Sequence, residues 1–366
     1  MVPKPPTISE HLIQFHVYLS QITLQNFRSY KEKTIEFKSG VNLILGGNGS
    51  GKSNILESIY FLSTGKSFRA SSLGQLILWG ENFLSVRGKV ENGGERELEA
   101  QLILDNGMSS RKYYIDKVVK PKSKYLGSLR CVLFEPEDIR LITGSPNRRR
   151  DFLDTIFATS EWSYASALSQ YNRALKHRNE LLDLIATGRA KEAELFYWNQ
   201  SLVKNAEIIH RFRSNFVQSV NQFWSDHENE EVAKLGIKYH PSVIDLKRLE
   251  VEVKEEVALG YTKRGPHRDD FSVESQMFES EDKNLAFWGS RGQQRLAVLA
   301  LRLAQINYLL ETYKEEPVLL LDDIFSELDP EHRQLVADIC HKYQTIFTSA
   351  EEAVKEILPE SRVVRL

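Results

Sequence analysis

The sequence predicts an α/β protein with a parallel or mixed sheet, a second sheet that is antiparallel, and an inserted helical lobe. Three observations predict this fold class. An apolar strand at 41–45 runs through a glycine cluster into an amphipathic helix at 53–62, a connection typical of parallel sheets. Short alternating apolar segments separated by Gly and Asn turns occupy 71–132. Residues 148–230 contain few glycines and repeat apolar residues at helical spacing.

The composition indicates a soluble, ordered chain. Its 366 residues include 48 Lys and Arg against 50 Asp and Glu, which excludes a globally basic nucleic-acid-binding protein but not a local basic patch. No apolar run approaches the ~18 residues of a membrane span. The two cysteines, Cys131 and Cys340, are too few and too distant to form a disulfide framework or a zinc site. We therefore expect a cytoplasmic protein in a reducing compartment.

We expect four segments along the chain. Residues 1–15 are proline-rich and should form a flexible N-terminal extension. Residues 16–147 and 255–366 should form the two parts of the α/β lobe, and 148–254 the helical insertion between them. The boundary at 148 is placed where glycines become rare and one long helical pattern follows another.

The glycine cluster matches the phosphate-binding pattern G-x-x-x-x-G-K-[ST] without a gap. Its glycines let backbone N–H groups converge on an anion, while Lys52 reaches the β- and γ-phosphates and the Ser53 hydroxyl ligates Mg²⁺. A plain turn joining strand to helix is the alternative, but the apolar strand before and the helix after are the context that the motif requires. The predicted ATP-binding residues are Gly46, Gly47, Asn48, Gly49, Ser50, Gly51, Lys52 and Ser53.

A second apolar strand, at 317–321, ends in the paired carboxylates Asp322 and Asp323. Such a run is typical of a buried parallel strand, whose carboxyl end lies where ligands bind in open α/β sheets. Asp322 is predicted to hold the Mg²⁺ shell, commonly through water. Asp323 is predicted to be catalytic, because it would lie next to the γ-phosphate and orient a water for attack. Two acids in an ordinary turn are the alternative, which the phosphate loop disfavours.

Ser290 begins a strong helical pattern in SRGQQRLAVLALRLAQ. With Gln293 it has the spacing of a capping box, a common structural feature. However, S-x-G-Q-Q just before an apolar strand and two Asp is the order expected of an ABC-type ATPase. There the Ser hydroxyl, the amide of Gly292 and the helix dipole bind a γ-phosphate held by the other subunit. Ser290, Gly292 and Gln293 are therefore predicted nucleotide contacts, with Ser290 catalytic beside Lys52 and Asp323. Residues 326–329 match the D-loop of that class.

Taken together, these motifs resemble the RecF family of bacterial recombination mediators, which is related to the SMC and double-strand-break-repair ATPases. The resemblance covers about residues 17–366 and rests on six blocks in order: LQNFRSY, GGNGSGKSNILESIYFLSTGKSFR, FEPEDIRLITGSPNRRRDFLD, GPHRDDF, SRGQQRLAVLALRLAQ and LLLDDIFSELD. It implies an ABC-type ATPase head with an inserted helical lobe. It also implies an ATP-dependent homodimer that binds single-stranded or gapped DNA without sequence specificity and slowly hydrolyses ATP, with DNA stimulation. The same resemblance implies that the protein works with RecO and RecR to load recombinase, and that it supports the SOS response.

Several residues depart from the broader ABC pattern. Asp323 stands where most of that class has Glu, which makes slow turnover plausible. Thr348 or Ser349 stands where a transporter-type ATPase has a switch His. Glu135 is a candidate for the Q-loop position. Arg69 matches a family position and could neutralise a phosphate or simply face solvent.

The remaining charged segments are less specific. Arg148, Arg149 and Arg150 either face solvent or contact DNA phosphates, as do Lys117, Lys120, Lys122 and Lys124 in a preceding loop. In GPHRDDF, one His and two adjacent Asp more often form a polar network than a metal site.

Other classes explain fewer features of the chain. An ABC transporter subunit should lack the helical insertion and have a switch His, whereas an SMC protein needs a far longer coiled coil. An ABC-fused nuclease would need another acidic metal site, and a metabolic P-loop kinase leaves residues 290–295 unexplained. An SMC-like or ABC-type ATPase module acting on another partner complex remains the alternative.

Overall fold

The computed structural model describes residues 17–366 except 106, 280, 327 and 329, so the predicted extension at 1–15 lies outside the described residues. The strands are β1 (Tyr18–Phe27), β2 (Tyr30–Glu36), β3 (Val41–Leu45), β4 (Phe83–Glu91), β5 (Glu95–Asp105), β6 (Met108–Ile115), β7 (Val118–Lys120), β8 (Cys131–Phe134), β9 (Leu235–His240), β10 (Asp270–Ser275), β11 (Val318–Asp322), β12 (Thr345–Ser349) and β13 (Arg362–Arg365). The helices are α1 (Lys52–Thr64), α2 (Lys122–Tyr125), α3 (Arg140–Thr143), α4 (Pro146–Ser160), α5 (Trp162–Ala186), α6 (Phe196–Ser225), α7 (Glu230–Ala233), α8 (Leu246–Leu259), α9 (Leu285–Trp288), α10 (Arg291–Tyr313), α11 (Pro330–Cys340) and α12 (Val354–Ile357).

A parallel sheet forms the centre of the α/β lobe, with strand order β13-β3-β12-β11-β8. All of its pairings are parallel. Every residue of β3 and β11 is buried, as expected for parallel strands covered on both faces. Strand β12 lies between β3 and β11 and pairs with both, so the glycine-rich loop and Asp322 emerge at the same edge.

The second sheet is antiparallel, with strand order β2-β1-β4-β5-β6-β7. It confirms the antiparallel strands predicted within 71–132, and it also contains β1 and β2, which the sequence placed in the α/β part. Helix α1 packs in one core with this sheet and the parallel sheet, through Ile55, Ile59 and Leu62. Gly88 makes this approach possible, because a Cβ there would lie 2.5 Å from Cδ2 of Leu62.

The helical lobe contains the two long helices predicted from the sequence, α5 with 25 residues and α6 with 30. Its core includes Tyr164, Tyr171 and Phe216, all fully buried. The antiparallel strand pair β9–β10 packs into the same core through Phe271. The sequence-based division at residue 254 stays a prediction.

Helix α10 connects this lobe to the α/β lobe. The indole Nε1 of Trp224, on α6, donates a 3.0 Å hydrogen bond to the carbonyl of Ala300. The other side of α10 packs Leu299 and Leu303 against the parallel sheet. Over the ranges that the structure describes, no helix combines the length and apolarity that crossing a membrane requires.

Candidate nucleotide-binding site

The loop at 46–53 wraps around the ammonium group of Lys52. Its Nζ donates hydrogen bonds of 2.7 Å to the carbonyl of Gly46 and 2.9 Å to that of Gly47, and only 8% of the residue is exposed. Gly51 has φ 99°, and a Cβ there would collide with the ring of Tyr30, so glycine is required on both counts. The loop therefore places its backbone and one lysine charge around a single point at the start of α1.

The two predicted metal ligands are in direct contact. Ser53 Oγ donates a 2.8 Å hydrogen bond to Oδ1 of Asp322. Thr348 on β12 donates a second 2.8 Å bond to the same oxygen. A serine hydroxyl beside a carboxylate is an oxygen donor pair suited to Mg²⁺. The contact joins the beginning of α1 to the carboxyl end of β11.

Thr348 also holds the residue after Asp322. Its Oγ1 accepts a 3.0 Å hydrogen bond from the backbone N–H of Asp323. Asp323 has φ 51°, a left-handed conformation that L residues other than Asn and Asp rarely adopt. Non-glycine residues in such conformations often occur at active sites, where surrounding contacts hold them. The sequence placed Thr348 or Ser349 at the switch position; in the structure Thr348 supports both aspartates.

An ion pair between Arg28 and the buried Glu57 anchors α1. Glu57 is fully buried and accepts two 2.8 Å hydrogen bonds from the guanidinium of Arg28 and one of 2.5 Å from Ser67 Oγ. Arg28 and Ser67 lie in two of the blocks that carry the family resemblance, but their sequence pattern predicted no role for them. A glutamate on the apolar side of a helix is the sequence signal that indicates such an ion pair, because a buried charge requires a partner.

Arg69 lies beside the first turn of α1. Its guanidinium donates a 3.3 Å hydrogen bond to Oδ1 of Asn54, the residue that follows Ser53. Arg69 is therefore near the glycine-rich loop, and its phosphate role stays a prediction.

Ser290 caps α10. Its Oγ accepts a 3.3 Å hydrogen bond from the N–H of Gln293, whose side chain accepts a 2.9 Å bond from the N–H of Ser290. Ser290 and Gly292 are exposed, and within the described part of the chain the side chains of Ser290 and Gln293 each bond only the backbone N–H of the other residue. The capping box is thus formed. The structure does not bring Ser290 to the glycine-rich loop of its own chain.

Asp138 connects α10 to the segment after β8. Its carboxylate accepts bonds of 3.0 and 2.5 Å from the buried guanidinium of Arg302 and one of 3.1 Å from the N–H of Glu135. Burial, followed by the charge of Asp138, raises the pKa of Glu135 to about 8. Glu135, the candidate for the Q-loop position, is therefore held between the sheet and α10.

All three consecutive arginines bind within the chain. Arg148 donates a 3.0 Å hydrogen bond to the carbonyl of Glu137. Arg149 forms two hydrogen bonds with Asp270, of 2.6 and 2.8 Å, and is largely buried. Arg150 donates a 2.6 Å bond to the carbonyl of Asp269. These contacts tie SPNRRR to GPHRDDF, and they favour a structural role for Arg149 over DNA contact.

Asp269, the first of the two aspartates of GPHRDDF, is the centre of a buried polar network. It accepts hydrogen bonds from Arg213 (2.7 Å), His210 (3.2 Å), the N–H of Ser242 (2.7 Å) and the hydroxyl of Tyr239. Burial opposes its ionisation, but the bond from His210 and the charge of Arg213 outweigh burial and hold the pKa of Asp269 below its ordinary value. Among the described residues, no group of three or more His, Cys, Asp or Glu side chains is arranged to hold a metal ion.

Comparisons of sequence place these features in a family. A model described as the RecF/RecN/SMC N terminal domain matches residues 18–361. The DNA replication and repair protein RecF of Moorella thermoacetica is 36% identical over 342 residues, which cover 91% of this chain and 90% of that protein. The same-named protein of Geobacillus kaustophilus is 36% identical over 372 residues, covering 96% and 98%.

Comparisons of structure agree. A structure of the recombination mediator protein RecF-ATP in the RecFOR pathway matches with a TM-score of 0.83 at 30% identity, covering 94% of this chain and 95% of that one. An Smc head domain from Pyrococcus furiosus matches with a TM-score of 0.52 at 19% identity, covering 95% and 93%, and shows the fold alone. The predicted fold class, an ABC-type ATPase head with a helical insertion, is confirmed.

Proposed function

Since this chain belongs to the RecF family of the RecF/RecN/SMC N-terminal-domain proteins, we propose that it is an ATP-dependent DNA-binding protein of replication and repair. In this proposal the chain binds ATP with Mg²⁺, dimerises on single-stranded or gapped DNA, and hydrolyses ATP slowly. The observation that supports it most is the contact between Ser53 and Asp322, because it unites the two motifs that ATP hydrolysis requires.

The loop fits the phosphates of a nucleoside triphosphate. Ser50 Oγ is buried without a hydrogen-bond partner among the described residues, and a Cβ at Gly46 would lie 2.6 Å from that oxygen. Lys52 would exchange its carbonyl partners for the β- and γ-phosphates, and the N–H groups at the start of α1 would bind the same anion. Ser53 and Asp322 would hold Mg²⁺, which supplies charge neutralisation at the phosphates.

Three residues would act in hydrolysis. Asp323 would orient the attacking water, and its short side chain is consistent with slow turnover. Lys52 would stabilise charge that develops on the phosphates. Ser290 would contribute from the second subunit, since its hydroxyl is exposed at the positive end of α10 and makes no contact with the loop of its own chain.

Membership of the family supports proposals about protein partners and cellular location. A relative is named as a member of the RecFOR pathway, so we propose RecO and RecR as partners in loading recombinase, and support of the SOS response. We propose a cytoplasmic location on the same grounds. An SMC-like or ABC-type ATPase module acting on another complex is the second candidate, favoured only by the shared head fold.

The test is ATP-dependent association with gapped duplex DNA. Sedimentation of the chain with ATP and Mg²⁺, with and without DNA, should give a dimer only when ATP is present. DNA affinity, measured at several salt concentrations, should increase with ATP and decrease with salt. A monomer with unchanged DNA affinity in all conditions would contradict the proposal.

A further inference from the structure

A cleft of about 440 Å³ lies at the end of α1 opposite the glycine-rich loop. It is bounded by the 65–73 segment, by β6 and by α4. Tyr60 and Gly65, at the C-terminal end of α1, line the cleft, and so does Glu135, whose carboxylate is close enough to Asp322 for their charges to interact.

Cations gather at the rim of this cleft. Lys66, after the last turn of α1, and Arg111, on β6, line the cleft. Lys122, which begins α2, lies close enough to both for its charge to interact with theirs, and we call these three residues the cationic rim. Lys66 Nζ donates a 3.0 Å hydrogen bond to Thr155 Oγ1, and the guanidinium of Arg111 donates a 2.9 Å bond to the carbonyl of Gly65. Both partners are uncharged.

Of the three carboxylates that line the cleft, two face arginines outside the rim. Asp138 is occupied by Arg302, and Glu135 lies 3.9 Å from Arg148. Asp151 also lines the cleft. Throughout the residues that the structure describes, neither Lys66, Arg111 nor Lys122 forms an ion pair with a carboxylate. The carbonyl end of α1 offers only about half a negative charge.

The cationic rim is electrostatically unfavourable as it stands. Desolvation, followed by the positive charges of Arg111 and Lys66, lowers the pKa of Lys122 to about 8. Like charges at close range raise the free energy of the folded state, and an anion bound among them would lower it. Lys117, Lys120 and Lys124, in the adjoining turn, strand and helix, extend the positive surface beyond the cleft.

We propose that the cationic rim binds a phosphate of the DNA backbone, an inference that rests on the proposed function and adds a location to it. Arg and Lys side chains that hold phosphates carry no sequence information, which suits a protein that binds DNA at gaps of any sequence. Base stacking is not expected here, because Phe68 beside the cleft packs edge-on against Tyr60 at 5.5 Å.

The experiment compares two triple variants with the same loss of charge. One replaces Lys66, Arg111 and Lys122 by Gln, which retains hydrogen-bond donors for Thr155 and Gly65. The control replaces the exposed residues Lys112, Lys247 and Lys254 by Gln; Lys112 alternates with Arg111 on β6 and points to the other face of the sheet. Affinity for a labelled duplex is measured with ATP and Mg²⁺ over a series of salt concentrations.

We expect the rim variant to bind DNA at least about tenfold more weakly, with the slope of log affinity against log salt reduced by roughly 2 to 3. The control variant should keep the wild-type slope, and both should bind ATP like the wild type. A rim variant with the wild-type slope, or a control that loses as much, overturns the location while leaving the proposed function intact. Failure of the wild type itself to bind DNA overturns the proposed function.

A last arm identifies the source of the phosphate. Inorganic phosphate is titrated into wild type and rim variant while thermal stability is followed. If phosphate stabilises only the wild type and the DNA slopes remain equal, the cleft binds a free anion, and the DNA assignment is wrong.

Discussion

Ser53 and Asp322 are 269 residues apart in sequence, yet the hydroxyl of one donates a 2.8 Å hydrogen bond to the carboxylate of the other. The contact exists because β3 and β11 lie in one parallel sheet, with carboxyl ends at the same edge. Any variant that moves either strand should therefore affect nucleotide binding, even when it leaves both side chains in place.

Lys52→Ala should nearly abolish ATP binding. The substitution removes the lysine charge held inside the loop, and a charge-assisted hydrogen bond contributes about 1.5–3 kcal/mol, or roughly 10- to 140-fold in affinity. Lys52→Arg should retain some binding while hydrolysis falls further, because the larger guanidinium is misplaced. Titration with a fluorescent ATP analogue measures nucleotide affinity, and phosphate release measures hydrolysis. Unchanged affinity of the Ala variant would contradict the loop assignment.

Asp323→Asn should separate binding from hydrolysis. Asn tolerates the left-handed backbone at this position, so the turn after β11 should be preserved. Asp322 still serves Mg²⁺, and the expected product is a long-lived ATP-bound dimer on DNA. Single-turnover phosphate release measures the effect, with nucleotide titration as the control. Normal release would show that another group orients the water.

Thr348→Val should impair hydrolysis more than ATP binding. It removes the hydroxyl that bonds Asp322 and leaves the N–H of Asp323 without its acceptor, at a cost of about 1–3 kcal/mol in the free energy of unfolding. Thr348→Ser retains the hydroxyl and is the matched control. Turnover and urea denaturation are measured on both. Equal turnover in the Val variant and the wild type would exclude the supporting role.

Ser290→Arg should prevent dimerisation without preventing ATP binding. The nucleotide contacts of one subunit come from residues 46–53 and Asp322, whereas the bulk of Arg would fill the space where the partner's phosphate docks. Ser290→Ala should lower the free energy of unfolding by about 1 kcal/mol, because the helix cap is lost. Ser290→Asn retains the cap, so it separates the loss of the cap from the loss of the serine hydroxyl. Sedimentation with ATP and Mg²⁺ measures dimerisation in each variant. An Arg variant that dimerises normally would leave Ser290 as a helix cap only.

Asp269→Ala should destabilise the protein by about 3–5 kcal/mol, because Arg213 keeps only Asp154 as a carboxylate partner and the other buried donors to Asp269 lose their acceptor. Glu180→Gln, which breaks an exposed pair with Lys176, should cost less than about 1 kcal/mol in the free energy of unfolding.

The stability of the wild type should also depend on pH. The pKa of Asp269 is depressed in the folded state, so its contribution is present above the ordinary value of 3.8 and is lost as pH falls through the folded-state pKa. Urea denaturation at several pH values measures both; equal losses in the two variants would contradict the network's role.

Much of the site could be predicted because its motifs are local. The loop at 46–53 and the capping box at Ser290 are each formed by residues within eight positions of one another, so spacing alone indicates them. The bonds from Thr348 to Asp322 and from Arg302 to Asp138 span 26 and 164 residues, and a sequence gives no register between such segments. The same reason explains Arg149, whose charge predicted solvent or DNA while its partner Asp270 is 121 residues away.

Strand order has a consequence for how the chain acquires its site during synthesis. The antiparallel sheet is built from residues 18–120, and α4, α5 and α6 follow directly, so both can form from chain already synthesised. Strand β12, at Thr345–Ser349, is the link through which β3 is bonded to β11. Until it is inserted, the loop and Asp322 belong to two separate strands with exposed edges. We therefore expect nascent or truncated chains that lack β12 to be unable to bind ATP and prone to pairing with other strands, although most of their residues are already folded.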